Sequence, residues 1–420
     1  MASRVLRRRA TTAFGIYGSA LLGFAATVIA ARELSKDDFA RFALVFGTTS
    51  LLQLFVDLTI DEVVIKYGNR YAAREQWGRF RRLFQIGLVV KMAGGAAGAV
   101  AVAVAALLSP YIWNVHGLRD AMLIAALIPL IQQPEGMAGA VLLVRNRYDL
   151  RGLLLLWAMA LRLAAIAIGA HHGVVWLFGA IVIAQLISTL TVGGVALAVF
   201  RRWPRAEAEP LAEDAREIRA FAIQSTIASG LMSVRTSLPS VLIGVVAGPA
   251  QTANFRAALA PQTASASLSA PVRLVLLAEQ TRDIEQGRPD RAFAVLRRYI
   301  VSAAALGVVV TPFLWWAMPT LIRWVYKPKY VSAADAFRVM LLAAMVQLIF
   351  AWTKSFPVSI GRPGLRTAGQ VVEIVVLVPT VLILGARYGA TGAAGGVLAG
   401  AVALGLFWVL GLVRLHREIA

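Results

Sequence analysis

The sequence predicts an all-α polytopic membrane protein. About twelve transmembrane helices are expected, in two six-helix halves, with both termini cytoplasmic. Three observations predict this. The 420 residues are 59% hydrophobic and only 15% charged, with a mean hydropathy of +0.71, too apolar for the surface of a soluble chain of this length. Apolar runs of about 20 residues recur throughout, each long enough to cross roughly 30 Å of hydrocarbon as a helix. The basic residues are also unevenly placed between alternate loops.

The expected spans are 11–31, 39–66, 83–108, 120–144, 153–170, 174–200, 221–247, 253–280, 298–322, 336–358, 367–386 and 392–413. "HHG" parts the fifth from the sixth, and "GPAQT" the seventh from the eighth; both read as tight turns. Segments 1–10, 67–82, 145–152, 201–220, 281–298, 359–366 and 414–420 then share one side and carry 26 Lys and Arg. The alternate segments carry 7. Lysine and arginine concentrate in cytoplasmic loops, so the basic set is expected inside. The opening "MASRVLRRRATTAFGIYGSALLGFAATVIAARE" mimics a secretory leader, but an even span count with both ends inside makes it the first helix.

The longest inside loop, "RRWPRAEAEPLAEDAREIRA", divides the chain into an N-terminal lobe (1–200), a linker (201–220) and a C-terminal lobe (221–420). "FARFALV" in the second span has an echo in "ANFRAAL" in the eighth, and nearly equal halves are common in two-lobed transporters. No extramembrane segment exceeds about 20 residues, which leaves no room for a soluble catalytic domain, and no GxxxxGK[ST] phosphate loop occurs. There are no cysteines, and the four histidines offer only the adjacent pair His171–His172 in a short turn. No catalytic residue, metal site or cofactor is therefore expected. The net charge of +20 is explained by cytoplasmic loops and not by nucleic acid.

Nine of the 42 basic residues remain inside spans. Arg41 and Arg338 stand at span ends and can snorkel, and Lys66 is interfacial. At 1.5 Å per residue, Arg162 lies roughly 14 Å into the fifth span, Arg235 roughly 21 Å into the seventh and Lys91 roughly 12 Å into the third. A cation at such depth costs on the order of 3 kcal/mol, so it requires a wet cavity, an acidic partner or an anionic ligand. Arg162, Arg235, Lys91, Arg256, Arg273 and Lys354 are the candidate substrate-binding residues. The alternative is internal pairing with the intramembrane acids Asp57, Glu135, Glu279 and Glu373. Asp57 and Glu373 are candidates for ion coupling or a buried ion pair; Lys91 or Arg273 could partner Asp57. Asp61, Glu62 and Lys66 belong to the cytoplasmic mouth of the second span, where Glu62 and Lys66 are spaced to pair. A cation-rich cavity suits an anionic substrate, because the guanidinium fork donates two parallel hydrogen bonds to phosphate.

Several segments resemble the Wzx-like polysaccharide-export flippases of the multidrug/oligosaccharidyl-lipid/polysaccharide (MOP) superfamily. "ARELSKDDFARFALVFGTTSLLQLFVDLTIDEVV" looks like their first hairpin, with Thr59 where Gly is usual. "VAGPAQTANFRAALAPQTASASLSAPVRLVLLAEQ", "LIRWVYKPKYVSAADAFRVMLLA" and "RYGATGAAGGVLAG" are similar to the turn into span 8, the turn into span 10 and the entry to the last helix. The resemblance implies two six-helix lobes around a central cavity, alternating access, and export of undecaprenyl-pyrophosphate-linked oligosaccharide across the bacterial inner membrane. It also implies membrane lipids and other polysaccharide-assembly proteins as partners. The alternatives are a cation-coupled drug antiporter of the same superfamily, a major-facilitator transporter, and a membrane glycosyltransferase, polymerase or ligase using the same lipid carrier.

Overall fold

Among the described residues, helices fall within every apolar run that the sequence marks out, with breaks inside some of them. The computed structural model describes residues 2–419 except 57–58, 114, 116, 202, 205, 212–213, 287 and 361. Within the helices, the side chains of 2–9, 54–56, 228, 232–233, 268, 270–275, 277–279, 281–282, 285, 289, 354, 358, 363 and 416–419 are also outside the description. Among the described residues there is no strand. Eight helical stretches are long and apolar enough to cross a membrane, or nine if the two halves of the helix Ala215–Ala247 count as one span. The protein is a multi-pass membrane protein. By packing, the chain divides into two compact units, Met1–Ser233 and Val234–Ala420.

The first unit contains α1 (Ala2–Glu33), α2 (Lys36–Val56), α3 (Ile60–Ala73), α4 (Trp77–Ile112), α5 (Leu118–Ala125), α6 (Leu127–Val144), α7 (Tyr148–Gly169) and α8 (Val174–Phe200). It also holds the start of α9 (Ala215–Ala247). The second expected span is broken: Thr59 is non-helical, and its backbone N–H and hydroxyl both meet the hydroxyl of Thr226. A side chain thus satisfies the backbone donor that helix continuation would otherwise satisfy. α1 packs along α7, and α6 lies among α3, α4 and α8. The buried stripe of α4 is Gly87, Lys91, Gly95, Gly98, Val102 and Ala106, so small residues let neighbouring helices approach closely. Lys91 stands in that stripe.

The segment 201–220 packs on this unit. Trp203 joins Tyr67, Tyr71 and Phe80 in one apolar cluster. Tyr71 donates its hydroxyl proton to Asp214 at 2.7 Å, and Arg70 forms a two-pronged bond with Glu217 at 2.9 and 3.0 Å. Burial, and then the Asp214 hydrogen bond, push the Tyr71 phenol above its ordinary pKa. The Arg70 hydrogen bond holds the exposed Glu217 carboxyl below its ordinary value. Glu62 accepts from Ser225, while the Lys66 ammonium lies 4.0 Å from the centre of the Phe221 ring.

The second unit contains α10 (Pro249–Ala258), α11 (Ala260–Glu285), α12 (Pro289–Tyr326), α13 (Ala334–Ile349), α14 (Phe356–Ser359) and α15 (Pro363–Ile419). α13 is the hub, in contact with α10, α11, α12 and α15. Trp352, Phe356, Leu404 and Trp408 are buried together in one of its core clusters. α15 is two helices joined at Gly389, whose φ of 58° and ψ of −136° lie where side chains are rarely tolerated. The Ala390 N–H freed by this break donates to the Gln251 amide oxygen at 3.0 Å. Exposed Val308, Val309, Phe313 and Trp316 on α12 present an apolar face suited to lipid.

Candidate functional site: a cationic pocket in each unit

In the second unit, α9, α10, α11, α13 and α15 enclose a cavity of about 280 Å³. Arg235, Arg256 and Arg366 line it together with one carboxylate, Glu373. Arg235 donates to Glu373 at 3.1 Å, and the glutamate side chain is only 1% exposed. Burial at that depth requires the partner, because a lone carboxylate would have to exchange its hydration for apolar surroundings. Gln262, Gln347 and Gln370 add amides to the wall, with Gln262 donating to Gln347 at 3.1 Å, and Trp408 supplies an aromatic face. Guanidinium groups, amides and an aromatic face are the set that grips phosphate and sugar hydroxyls.

In the first unit, α6, α7 and α8 enclose a smaller cavity of about 150 Å³. Arg151 and Arg162 line it with Gln132, Glu135, Gln185 and Ser188. Glu135 accepts from the Gln185 amide at 2.8 Å and the Ser188 hydroxyl at 3.3 Å. Arg162 lies 5.8 Å from the centre of the Phe46 ring. The Arg151 guanidinium is seated against Gly139, where a β-carbon would overlap it, and its Nη1 is buried with no hydrogen-bond partner among the described residues.

These cavities bring together Arg162 on one side and Arg235, Arg256 and Glu373 on the other. Lys91 lines neither: its ammonium meets Asp61 at 3.1 Å and is 4% exposed. Its burial in the small-residue stripe of α4 makes that carboxylate its counter-ion. Asp57 and the side chains of Arg273 and Lys354 lie outside the described residues. Arg151 and Arg366 were missed in sequence because both were assigned to loops. The signals were Asp149 and Pro363, which open α7 and α15 a turn earlier than hydropathy places them. The glutamines were missed because only full charges were counted inside the spans. Among the described residues no three His, Cys, Asp or Glu side chains gather as metal ligands.

Residues 5–277 match the family model described as polysaccharide biosynthesis protein. The chain belongs to that family. No protein with a curated description matches it. Among solved structures, the chain resembles a multidrug resistance MATE family transporter of the MOP superfamily in its inward-facing conformation. That match has a TM-score of 0.79 and 14% identity over 95% of each chain. It also resembles the lipid II flippase MurJ in an inward closed conformation, with a TM-score of 0.70 and 12% identity over 95% of this chain and 87% of the other. A MOP superfamily transporter from Pyrococcus furiosus, whose binding pocket is described as reversed in polarity, gives 0.64 and 12% over 98% and 95%. At these identities the likeness is one of fold, and the fold is that of MOP transporters. The Wzx-like motifs of the sequence agree with both the family and the fold.

Proposed function

We propose that this family member flips undecaprenyl-pyrophosphate-linked oligosaccharide across the bacterial inner membrane by alternating access. The observation that carries the reading is the pocket of the second unit, which Arg235, Arg256 and Arg366 line with Glu373, more arginine than carboxylate among the described residues. That surplus of positive charge, set inside apolar helices, compensates the hydration a pyrophosphate loses on leaving water. The amides and Trp408 suit the adjoining sugars, and the polyprenyl tail stays in the bilayer. The loop charge asymmetry supports termini on the cytoplasmic side, where such a substrate is assembled. The short loops support a transporter and not an enzyme.

The test is leaflet-resolved detection of lipid-linked glycan in cells depleted of the protein. Accumulation in the inner leaflet is the expected result. Normal translocation with altered polymer length would overturn the reading in favour of a polymerase or ligase. Normal translocation with new sensitivity to cationic drugs would overturn it in favour of an antiporter.

A further inference from the structure

A third cavity lies at the arginine-rich end of the first unit and shares no lining residue with the pockets above. It measures about 520 Å³ and is formed where the end of α8, the start of α4 and the segment after α8 meet. Trp77, Phe80, Phe200 and Trp203 make its walls, and the exposed Arg81 and Arg201 stand at its rim. No Asp or Glu lines it among the described residues. Its volume lies within the roughly 300–1,000 Å³ of small-molecule sites.

The walls are built, not incidental. Trp203 is 7% exposed and packs on Phe80 with ring centres 4.4 Å apart, on Phe200 at 5.2 Å and on Trp77 at 5.5 Å. Its indole Nε1 is buried and has no hydrogen-bond partner among the described residues, although a buried indole N–H ordinarily finds an acceptor. Arg81 is fixed at the rim by donating to the Ala206 carbonyl at 2.9 Å, which uses one of its five N–H groups. An indole donor without an acceptor and two guanidiniums together call for an anion with several oxygens.

The position says which anion. α4 and α8 are both membrane-spanning by length and composition, so the cavity opens at the end of the hydrocarbon layer. Trp at that level is the ordinary aromatic anchor, and basic pockets between helix ends recognise anionic lipid headgroups. From the cavity, exposed Leu197, Leu190 and Ile183 continue along α8 at seven-residue spacing. They form an apolar track leading toward the membrane interior. Gly193 and Gly194 interrupt the track with open space beside them. A headgroup in the cavity would lay an acyl chain along that track.

We infer that this cavity is a binding site for an anionic glycerophospholipid, with Arg81 and Arg201 on the phosphate and the Trp203 indole as a third donor. The site is separate from the transport pockets, so it stands or falls apart from the proposed substrate. The test is native mass spectrometry of the full chain in detergent, titrated with phosphatidylglycerol or phosphatidylcholine. Phosphatidylglycerol is expected to bind in preference. The double variant Arg81→Ala/Arg201→Ala should bind it roughly tenfold or more weakly, with phosphatidylcholine binding unchanged. The variant Arg81→Lys/Arg201→Lys should retain most of the affinity. Arg201→Glu, a single change at an exposed position, should lower it even if the double variant does not fold. Equal binding of the two lipids, or wild-type affinity in Arg201→Glu, overturns the inference. Displacement of phosphatidylglycerol by equimolar inorganic phosphate would make the cavity a soluble-anion site and overturn it too. Displacement by equimolar polyprenyl phosphate would do the same in favour of a carrier-lipid site.

Discussion

The two intramembrane pockets solve the same electrostatic problem differently. In the second unit a glutamate is in direct contact with an arginine, so Arg235 and Glu373 stabilise each other, and Arg256 and Arg366 line the same cavity. In the first unit Glu135 is held by neutral donors, Gln185 and Ser188, and Arg162 faces an aromatic ring. The carboxylate there is solvated by the protein before any cation touches it. The comparison teaches that a count of buried charges does not reveal which are committed to the fold and which remain for a ligand. Direct contact divides them.

The largest effect should come from breaking the direct pair. Glu373→Ala leaves Arg235 buried without its counter-ion and should cost about 3–5 kcal/mol of stability. This is measurable as a fall in the melting temperature of the purified protein. The double variant with Arg235→Ala should recover part of that loss. If Glu135→Ala proves equally costly, the contrast between the pockets fails.

Next in size are the other arginines of that cavity. Arg256→Ala or Arg366→Ala should lower flipping in cells roughly tenfold or more, the worth of one charged hydrogen bond at about 1.5–3 kcal/mol. The melting temperature should move little. A large thermal shift without loss of transport would show these arginines to be structural. A smaller effect is expected from Glu135→Gln, which keeps the shape and an acceptor for Ser188. It should cost about 1–2 kcal/mol in the same melting assay, sharpening the distinction from Glu373.

The smallest effect concerns the segment after α8. The Glu217 carboxyl is held below its ordinary pKa by Arg70, so its contribution is present above the ordinary carboxylate range. That contribution is lost as pH falls through the depressed value. The hydrogen-exchange protection of residues 214–221, relative to the intrinsic rate at each pH, should therefore hold from neutral to mildly acidic pH and fall only as the pH drops through the carboxylate range. Arg70→Ala should move that onset to higher pH.

Much of the fold was legible in sequence because each helix carries its own signal. Apolar runs of membrane length are local, and so are the turns "HHG" and "GPAQT" that end them. The break at Thr59 was not legible, since the partner that stabilises it, Thr226, is 167 residues away. The same holds for the site. Depth along a helix picked out Arg162 and Arg235, which each line a cavity, but depth is one coordinate. Lys91 met Asp61 because two helices happen to face each other there, and that azimuth is a property of packing. Arg151 and Arg366 fell to a boundary error of a single turn, enough to move a side chain from a loop to a cavity wall.

The attachment of residues 203–221 to α3 and α4 has a practical consequence. The loop 201–220 looks like the obvious place to divide the gene into two separately expressed halves. A cut at about residue 207 would give a C-terminal fragment that begins with Asp214, Glu217 and Phe221, groups whose partners Tyr71, Arg70 and Tyr67 lie on the N-terminal fragment. Such fragments should find each other without a covalent link, because the longest loop of the chain doubles as an adhesive strip. A cut beyond Phe221 would place that strip wholly on the N-terminal piece and leave the other without its handle.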